Sequence, residues 1–197
     1  MSGYLNTITP AIFVRNIRRR PDRLEHMQQQ MKKINTDYLV FDCADDKGTQ
    51  MSAMWWNAQN SLQVIRYSKE AGLDSVLLLD DDCLFVDDFN EKLESLWPHM
   101  PEDWDIVSFG EIYGTYTDIY PGIVRTTYSW GGHASLVRNT MYDKLLNTLT
   151  GFVWADEEMN QKLKPSIKFY AFRPYLVTQM PGYSDLAHRH KDNREFQ

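Results

Sequence analysis

Three consecutive acids, Asp80, Asp81 and Asp82, close the run SVLLLDDDCLF and are the residues best suited by type and spacing to do chemistry. Carboxylate oxygens are hard ligands that suit magnesium or manganese. Two acids at i and i+2 on an extended chain share a face, which puts Asp80 and Asp82 together. The triplet contains Asp-x-Asp, a pattern through which sugar-nucleotide enzymes hold a diphosphate by way of a metal. Asp82 is assigned as metal ligand, Asp80 as a metal or ribose contact, and Asp81, on the opposite face, to the nucleotide pocket. Short acidic clusters also form solvated turns. The apolar residues Val76 to Leu79 argue instead for a buried strand that delivers its acids at its carboxyl end.

Four further groups could complete a site. In SWGGHAS, Gly131 and Gly132 permit close backbone approach or a positive φ, and Trp130 offers an apolar wall for a sugar, although a glycine pair more often makes only a turn. His133 reads as a packed or surface histidine. In GFVWADEEMNQKL, Asp156, Glu157 and Glu158 open a helix, where acids complement the dipole in any case. Beside a cleft, Asp156, and next Glu157, would act as general base for an acceptor hydroxyl. PGYSDLAHRH offers Asp185, His188 and His190, and an imidazole beside a carboxylate can complete a manganese site. Arg15, Arg18, Arg19, Arg20 and Arg23 follow the first strand, where phosphate contacts are expected. Arg15, Asn16 and Arg23 are assigned to the ligand, the remaining arginines to solvated helix charge.

These residues need a frame. AIFVRNI reads as a strand, and Pro21 and Asp22 start a helix whose apolar stripe is Leu24, Met27, Met31 and Ile34. DYLVFD is a second strand, completing a β-α-β unit. A helix from Ser52 to Glu70 carries Trp55, Ala58, Leu62 and Ile65 on one stripe and stops at Gly72, before the strand that ends in the acids. A short helix around Phe89 to Trp97 and the strand WDIVSFG follow. The segment 111–128, rich in Tyr, Thr and Gly, favours loops and a hairpin. HASLVR is a strand, Thr140 to Leu149 and Trp154 to Leu163 are helices, and IKFYAF and YLVTQ are strands. The predicted fold class is α/β: one domain over 1–187 with a Rossmann-like, mixed but mainly parallel sheet flanked by helices. Residues 8–110 form its donor-binding half and 111–187 its acceptor side. The tail 188–197 has no apolar stripe and is expected to be loop.

The chain has 197 residues, of which 43% are hydrophobic and 13% aromatic, enough for one sizeable core. The net charge of −6 disfavours non-specific nucleic-acid binding. The arginine cluster and the aromatics, which could stack on an extruded base, keep a modified nucleobase open as a partner. Cys43 and Cys83 provide no zinc framework and suit a reducing compartment. No apolar run approaches the ~20 residues of a membrane span, and no leader pattern opens the chain, which predicts a soluble, cytoplasmic protein.

Taken together, the segments resemble glycosyltransferase family 25, the lipopolysaccharide-type and collagen-galactosyl-type transferases. VRNIRRRPDRLEHMQQQM is similar to that family's opening, LLLDDDCLFVDDF to its acidic segment, GGHASLVRNTMYDKLL to its glycine-start strand and helix, and PYLVTQMPGYSDL to its terminal segment. The resemblance implies a GT-A fold, a nucleoside-diphosphate sugar donor such as a UDP-sugar, and Mn2+ or Mg2+. It would place Asp80 and Asp82 in the metal motif, Gly131 and Gly132 in the glycine loop, Asp156 before the late helix and His188 as the carboxyl-terminal metal histidine. The expected acceptor is a hydroxyl on a glycan, a protein or a hydroxymethylated nucleobase. The rivals are a nucleotidyltransferase and an inactive sugar- or nucleotide-binding module of the same fold.

Overall fold

The computed structural model describes residues 3–45, 49–187 and 189–192. In chain order the elements are α1 (Leu5–Ile8), β1 (Ile12–Ile17), α2 (Pro21–Lys33), β2 (Leu39–Cys43), α3 (Gln50–Glu70), β3 (Ser75–Asp80), β4 (Cys83–Phe85), α4 (Phe89–Leu96), β5 (Ile106–Gly110), β6 (Tyr113–Tyr120), β7 (Ile123–Trp130), β8 (Ala134–Arg138), α5 (Tyr142–Thr148), α6 (Ala155–Lys162), β9 (Phe169–Phe172), β10 (Val177–Gln179), β11 (Gly182–Ser184) and β12 (Arg189–Lys191).

Eight strands form one sheet in the order β2-β1-β3-β8-β5-β9-β7-β6. Strands β8 and β7 run against the others, so the sheet is mixed and mainly parallel. Strand alternation divides the core. Ile12, Val14, Leu77 and Leu79 face Met27 and Met31 of α2 and Phe89 and Leu93 of α4. Ala11, Phe13, Val76 and Leu78 face Leu62 and Ile65 of α3 and Leu145 of α5. Helices therefore cover both faces, as a predominantly parallel sheet requires.

Local chemistry explains the boundaries. Pro21 opens α2, where its missing N–H costs nothing. Helix α3 ends with Gly72 at φ +66°, where the Gly72 and Leu73 amides donate back to the Lys69 and Ser68 carbonyls. The expected hairpin is β6–β7. Three details differ from the expectations. Trp55 lies at the margin of the α3 stripe with about a third of its surface exposed, and the buried face begins at Ala58. Strand β10 leaves the main sheet to pair with β4. Part of the tail is ordered: β12 pairs antiparallel with β11, because its backbone finds ladder partners without an apolar stripe.

Candidate active site

Strands β1 and β3 are parallel neighbours, and their register sets Arg15 opposite Asp80. The Arg15 guanidinium donates to the Asp80 carboxylate and to the Ser61 hydroxyl on α3. On the other side of the sheet, Asn16 donates to Asp81 at 2.8 Å. Arg23, buried at the top of α2, donates to Asp81 at 2.7 Å and to the Tyr183 carbonyl at 2.8 Å, and lies 3.3 Å from Asp82. Gln179 donates to Asp82 at 3.3 Å. The strand ends at Asp80, so its alternation stops short of Asp82, which shares Arg23 with Asp81 rather than Arg15 with Asp80. Burial and the charges of Asp80 and Asp81 push the Asp82 carboxyl up to about 6, with Arg23 opposing. Burial also raises Asp81, again against Arg23.

A second carboxylate stands beyond the glycine pair. Gly131 has φ +91°, and a Cβ there would lie 2.9 Å from the Ile112 nitrogen, so only glycine fits. Its N–H donates to Asp156 at 3.1 Å, and the Glu157 N–H donates to the other Asp156 oxygen at 3.0 Å. A carboxylate has about four acceptor sites, so Asp156 keeps capacity for a substrate hydroxyl. Burial raises its pKa, which strengthens it as a base, while these backbone bonds oppose the rise. At Gly132 a Cβ would meet nothing nearer than Ser135 Oγ at 4.0 Å, so that position is open on the ligand side. The Trp130 indole N–H donates to the Tyr128 hydroxyl at 2.8 Å. Lys164 is buried beside this group, with Nζ donating to Ser129 and lying 4.4 Å from the centre of the Phe169 ring. Burial lowers its pKa to about 8 despite the attraction of Glu111 and Asp156.

These walls enclose a cavity of about 720 Å3. Its third side is the β11–β12 hairpin, which brings Arg189 and Lys191 into the lining. Burial and Arg189 lower the Lys191 pKa while Asp156 and Asp82 raise it, so that ammonium lies within the field of both acidic groups. The hairpin is tied down by the arginine cluster: Arg19 donates to Asp185 at 2.6 Å, Arg20 pairs with the same carboxylate, and Arg23 holds the Tyr183 carbonyl. Arg19 and Arg20 are thus ion-pair anchors rather than solvated helix charges.

Of the residues assigned from sequence, Arg15, Arg23, Asp80, Asp81, Asp82, Trp130, Gly131, Gly132 and Asp156 line this one cavity. Asn16 acts behind it through Asp81. Glu157 is not in the lining and bonds Tyr128 and Gln161. His188 lies outside the described residues. His133 is packed, with Nε2 3.3 Å from the Val177 carbonyl oxygen. Asp185 is committed to Arg19 and Arg20, and His190 packs edge-on against Tyr183. Sequence reasoning missed Arg189, Lys191, Lys164, Ser61 and Gln179. The one local signal was the i, i+2 spacing of Arg189 and Lys191, which places both cations on one face of a strand.

The order of strands and the flanking helices define a mixed, mainly parallel α/β fold with a cleft at the carboxyl ends of β1 and β3. No model of a known protein family matches the sequence, and no curated protein matches it. Among solved structures, the chain is similar to a glycosyltransferase involved in the glycosylation of the major capsid of PBCV-1, with a TM-score of 0.59 and 10% identity over 90% of this chain and 95% of that one. A mannose-1-phosphate geranyltransferase from Thermus thermophilus aligns at a TM-score of 0.48 and 10% identity, over 82% of this chain and 72% of that one. The first likeness establishes a shared fold, and the second is too weak to add to it. No described helix is long and apolar enough to cross a membrane.

Proposed function

We propose that this protein is a glycosyltransferase that moves a sugar from a nucleoside-diphosphate donor, such as a UDP-sugar, to a hydroxyl on a glycan, protein or modified nucleobase. The observation that carries the reading is one cavity holding three complementary parts. These are the acids at the end of β3, the cations Arg189 and Lys191 of the β11–β12 hairpin, and Asp156 at the start of α6. A diphosphate between acids and cations would be held by Arg189 and Lys191 as its negative charge grows on departure. Asp156 would accept the acceptor hydroxyl proton in an inverting transfer, and its bonds to Gly131 and Glu157 fix where that oxygen sits.

The residues also fit a divalent cation. Among the described residues no three His, Cys, Asp or Glu side chains converge on one point, so they do not provide a closed cage. Magnesium and manganese sites of nucleotide enzymes need only one or two carboxylates, with substrate phosphates completing the shell. Asp82, which lies in the cavity beside Arg23, and Asp80 are the residues that would hold the ion. When bound, such an ion neutralises charge on the diphosphate. The order of the family 25-like segments supports the same reading. The expected glycine-rich, lysine-containing loop of a nucleotidyltransferase is replaced by the end of β1, Asn16 and Ile17, and the three arginines that follow it, which disfavours that rival.

The test is a panel of sugar nucleotides with manganese, followed by released nucleoside diphosphate. Turnover of one donor, lost in a folded Asp82→Ala protein, is the expected result. Release of pyrophosphate from a nucleoside triphosphate and a sugar phosphate would move the protein to the nucleotidyltransferases. Donor binding without turnover, with or without acceptors, would leave a binding module.

A further inference from the structure

The cavity has a second arm that the donor reading leaves unused. From Asp156 it extends under the helices along one face of the sheet, between Ile65 of α3, Leu145 of α5, Met159 of α6 and the sheet residues Leu78, Val137 and Phe169. The void reaches residues of that face. Leu78 and Val137 keep 6% and 4% of their surface although helices cover them, whereas their neighbours Leu77 and Leu136 on the opposite face keep 0%. Among the described residues, the charged and hydroxyl groups bordering this arm are Asp156 at its start, Ser135 on the same sheet face as Leu78 and Val137, and Lys164, whose ammonium is turned to Ser129 and the Phe169 ring. Beyond these groups the arm presents hydrocarbon. Empty apolar cavities stay dry and take up hydrocarbon.

We propose that this arm receives a hydrocarbon chain carried by the acceptor, whose hydroxyl-bearing head sits at Asp156. Three features join the arm to the chemistry. Met159 in its wall is one helical turn from Asp156, which brings head and tail of an amphiphile to adjacent stretches of α6. Trp154 and Ala155 line the mouth just before the base. Phe152 and Val153, which precede Trp154 in the chain, are exposed over 71% and 46% of their surface. The rim is held against α3 because Gly151, at φ +78°, packs where a Cβ would lie 2.8 Å from the Trp55 Cα. Such a mouth would shield the part of a chain that protrudes from the arm. The proposal rests on the transferase reading for the role of the occupant, not for its binding.

The test is a series of n-alkyl β-glucosides, from methyl through butyl and hexyl to octyl, kept below their micelle concentrations. Binding to the full chain is followed by tryptophan fluorescence and by the shift in thermal unfolding temperature. Affinity should tighten about three- to fourfold per added methylene until the arm is full. Val137→Phe and, separately, Leu145→Phe fill the arm and should remove that dependence, while phenyl glucoside should bind no better than the butyl compound. Flat affinity across the wild-type series would overturn the proposal. Chain-length dependence that survives both filling variants would assign the binding to the outer surface and overturn it equally. Should neither variant fold, the wild-type series still decides through its shift in unfolding temperature. Chain-length-dependent binding to a protein that turns over no sugar nucleotide would refute the transferase reading and leave the hydrocarbon site standing.

Discussion

Glu158 joins the stability of this protein to its site, and its removal has a calculable effect. The side chain is buried, and its carboxylate accepts the Thr150 N–H at 2.8 Å, the Thr150 hydroxyl at 2.8 Å, the Gly151 N–H at 3.2 Å and the Lys162 ammonium at 2.8 Å. These bonds hold the loop that leads into Trp154 and Asp156. Glu158→Ala strands two backbone N–H groups and a hydroxyl. At ~1–2 kcal/mol each, less what water recovers, the expected loss is about 3 kcal/mol. The Lys162 pair adds little, because its ammonium is half exposed. Glu158→Gln keeps one acceptor oxygen and should lose roughly half as much. Burial pushes the Glu158 carboxyl up, but the bonds from Lys162, Thr150 and Gly151 prevail and hold it below its ordinary 4.5. The folded pKa is depressed, so this contribution is complete above the unfolded value and disappears as pH falls through the folded one. Urea unfolding at about pH 7 should separate wild type from the glutamine variant by roughly 1.5 kcal/mol, and the gap should narrow as the pH falls below the ordinary 4.5. An alanine variant within about 0.5 kcal/mol of wild type, or a gap unchanged in acid, would refute the reasoning.

Other perturbations test the remaining walls. Gly131→Ala forces a left-handed backbone on alanine and a Cβ 2.9 Å from the Ile112 nitrogen, and should cost about 1–3 kcal/mol in denaturant unfolding along with turnover. Glu111 is fully buried, and burial raises its pKa from 4.5 to about 7, against the pull of Lys164 and Arg173. With the folded pKa raised, wild type loses stability as pH rises through that window. Glu111→Gln, which does not titrate, should therefore gain on wild type by up to roughly 3 kcal/mol between those values, and a constant difference would contradict the assignment. Replacing both Arg189 and Lys191 with Ala should raise the donor KM by at least about tenfold at low salt, with a smaller effect at high salt. An unchanged KM would remove the hairpin from the donor site.

Much of the frame was legible because it is local. Leu62 and Ile65, or Met27 and Met31, recur at the period of a helix, Gly72 supplies a left-handed cap, and Val76 to Leu79 form a buried run that ends in acids. The hairpin ladder of β12 was not legible, because a strand held by backbone bonds to a nearby partner needs no apolar pattern of its own. The buried place of Lys164 was equally hidden, since a lysine goes inside only where a ring and a hydroxyl happen to meet it.

By itself the sequence determined which chemistry was available: carboxylates at the end of an apolar strand, a glycine pair after an aromatic strand, and acids opening a late helix. Tertiary structure decided which of these share a cavity and what neutralises each. The pairing of Arg20 with Asp185 spans 165 residues, and it turns what reads locally as a solvated helix charge into the fastening of a hairpin. The packing of α3, α5 and α6 likewise leaves space above Leu78 and Val137. Neither result can be read from local pattern, because charge compensation and void volume belong to the sum of contacts between segments far apart in the chain.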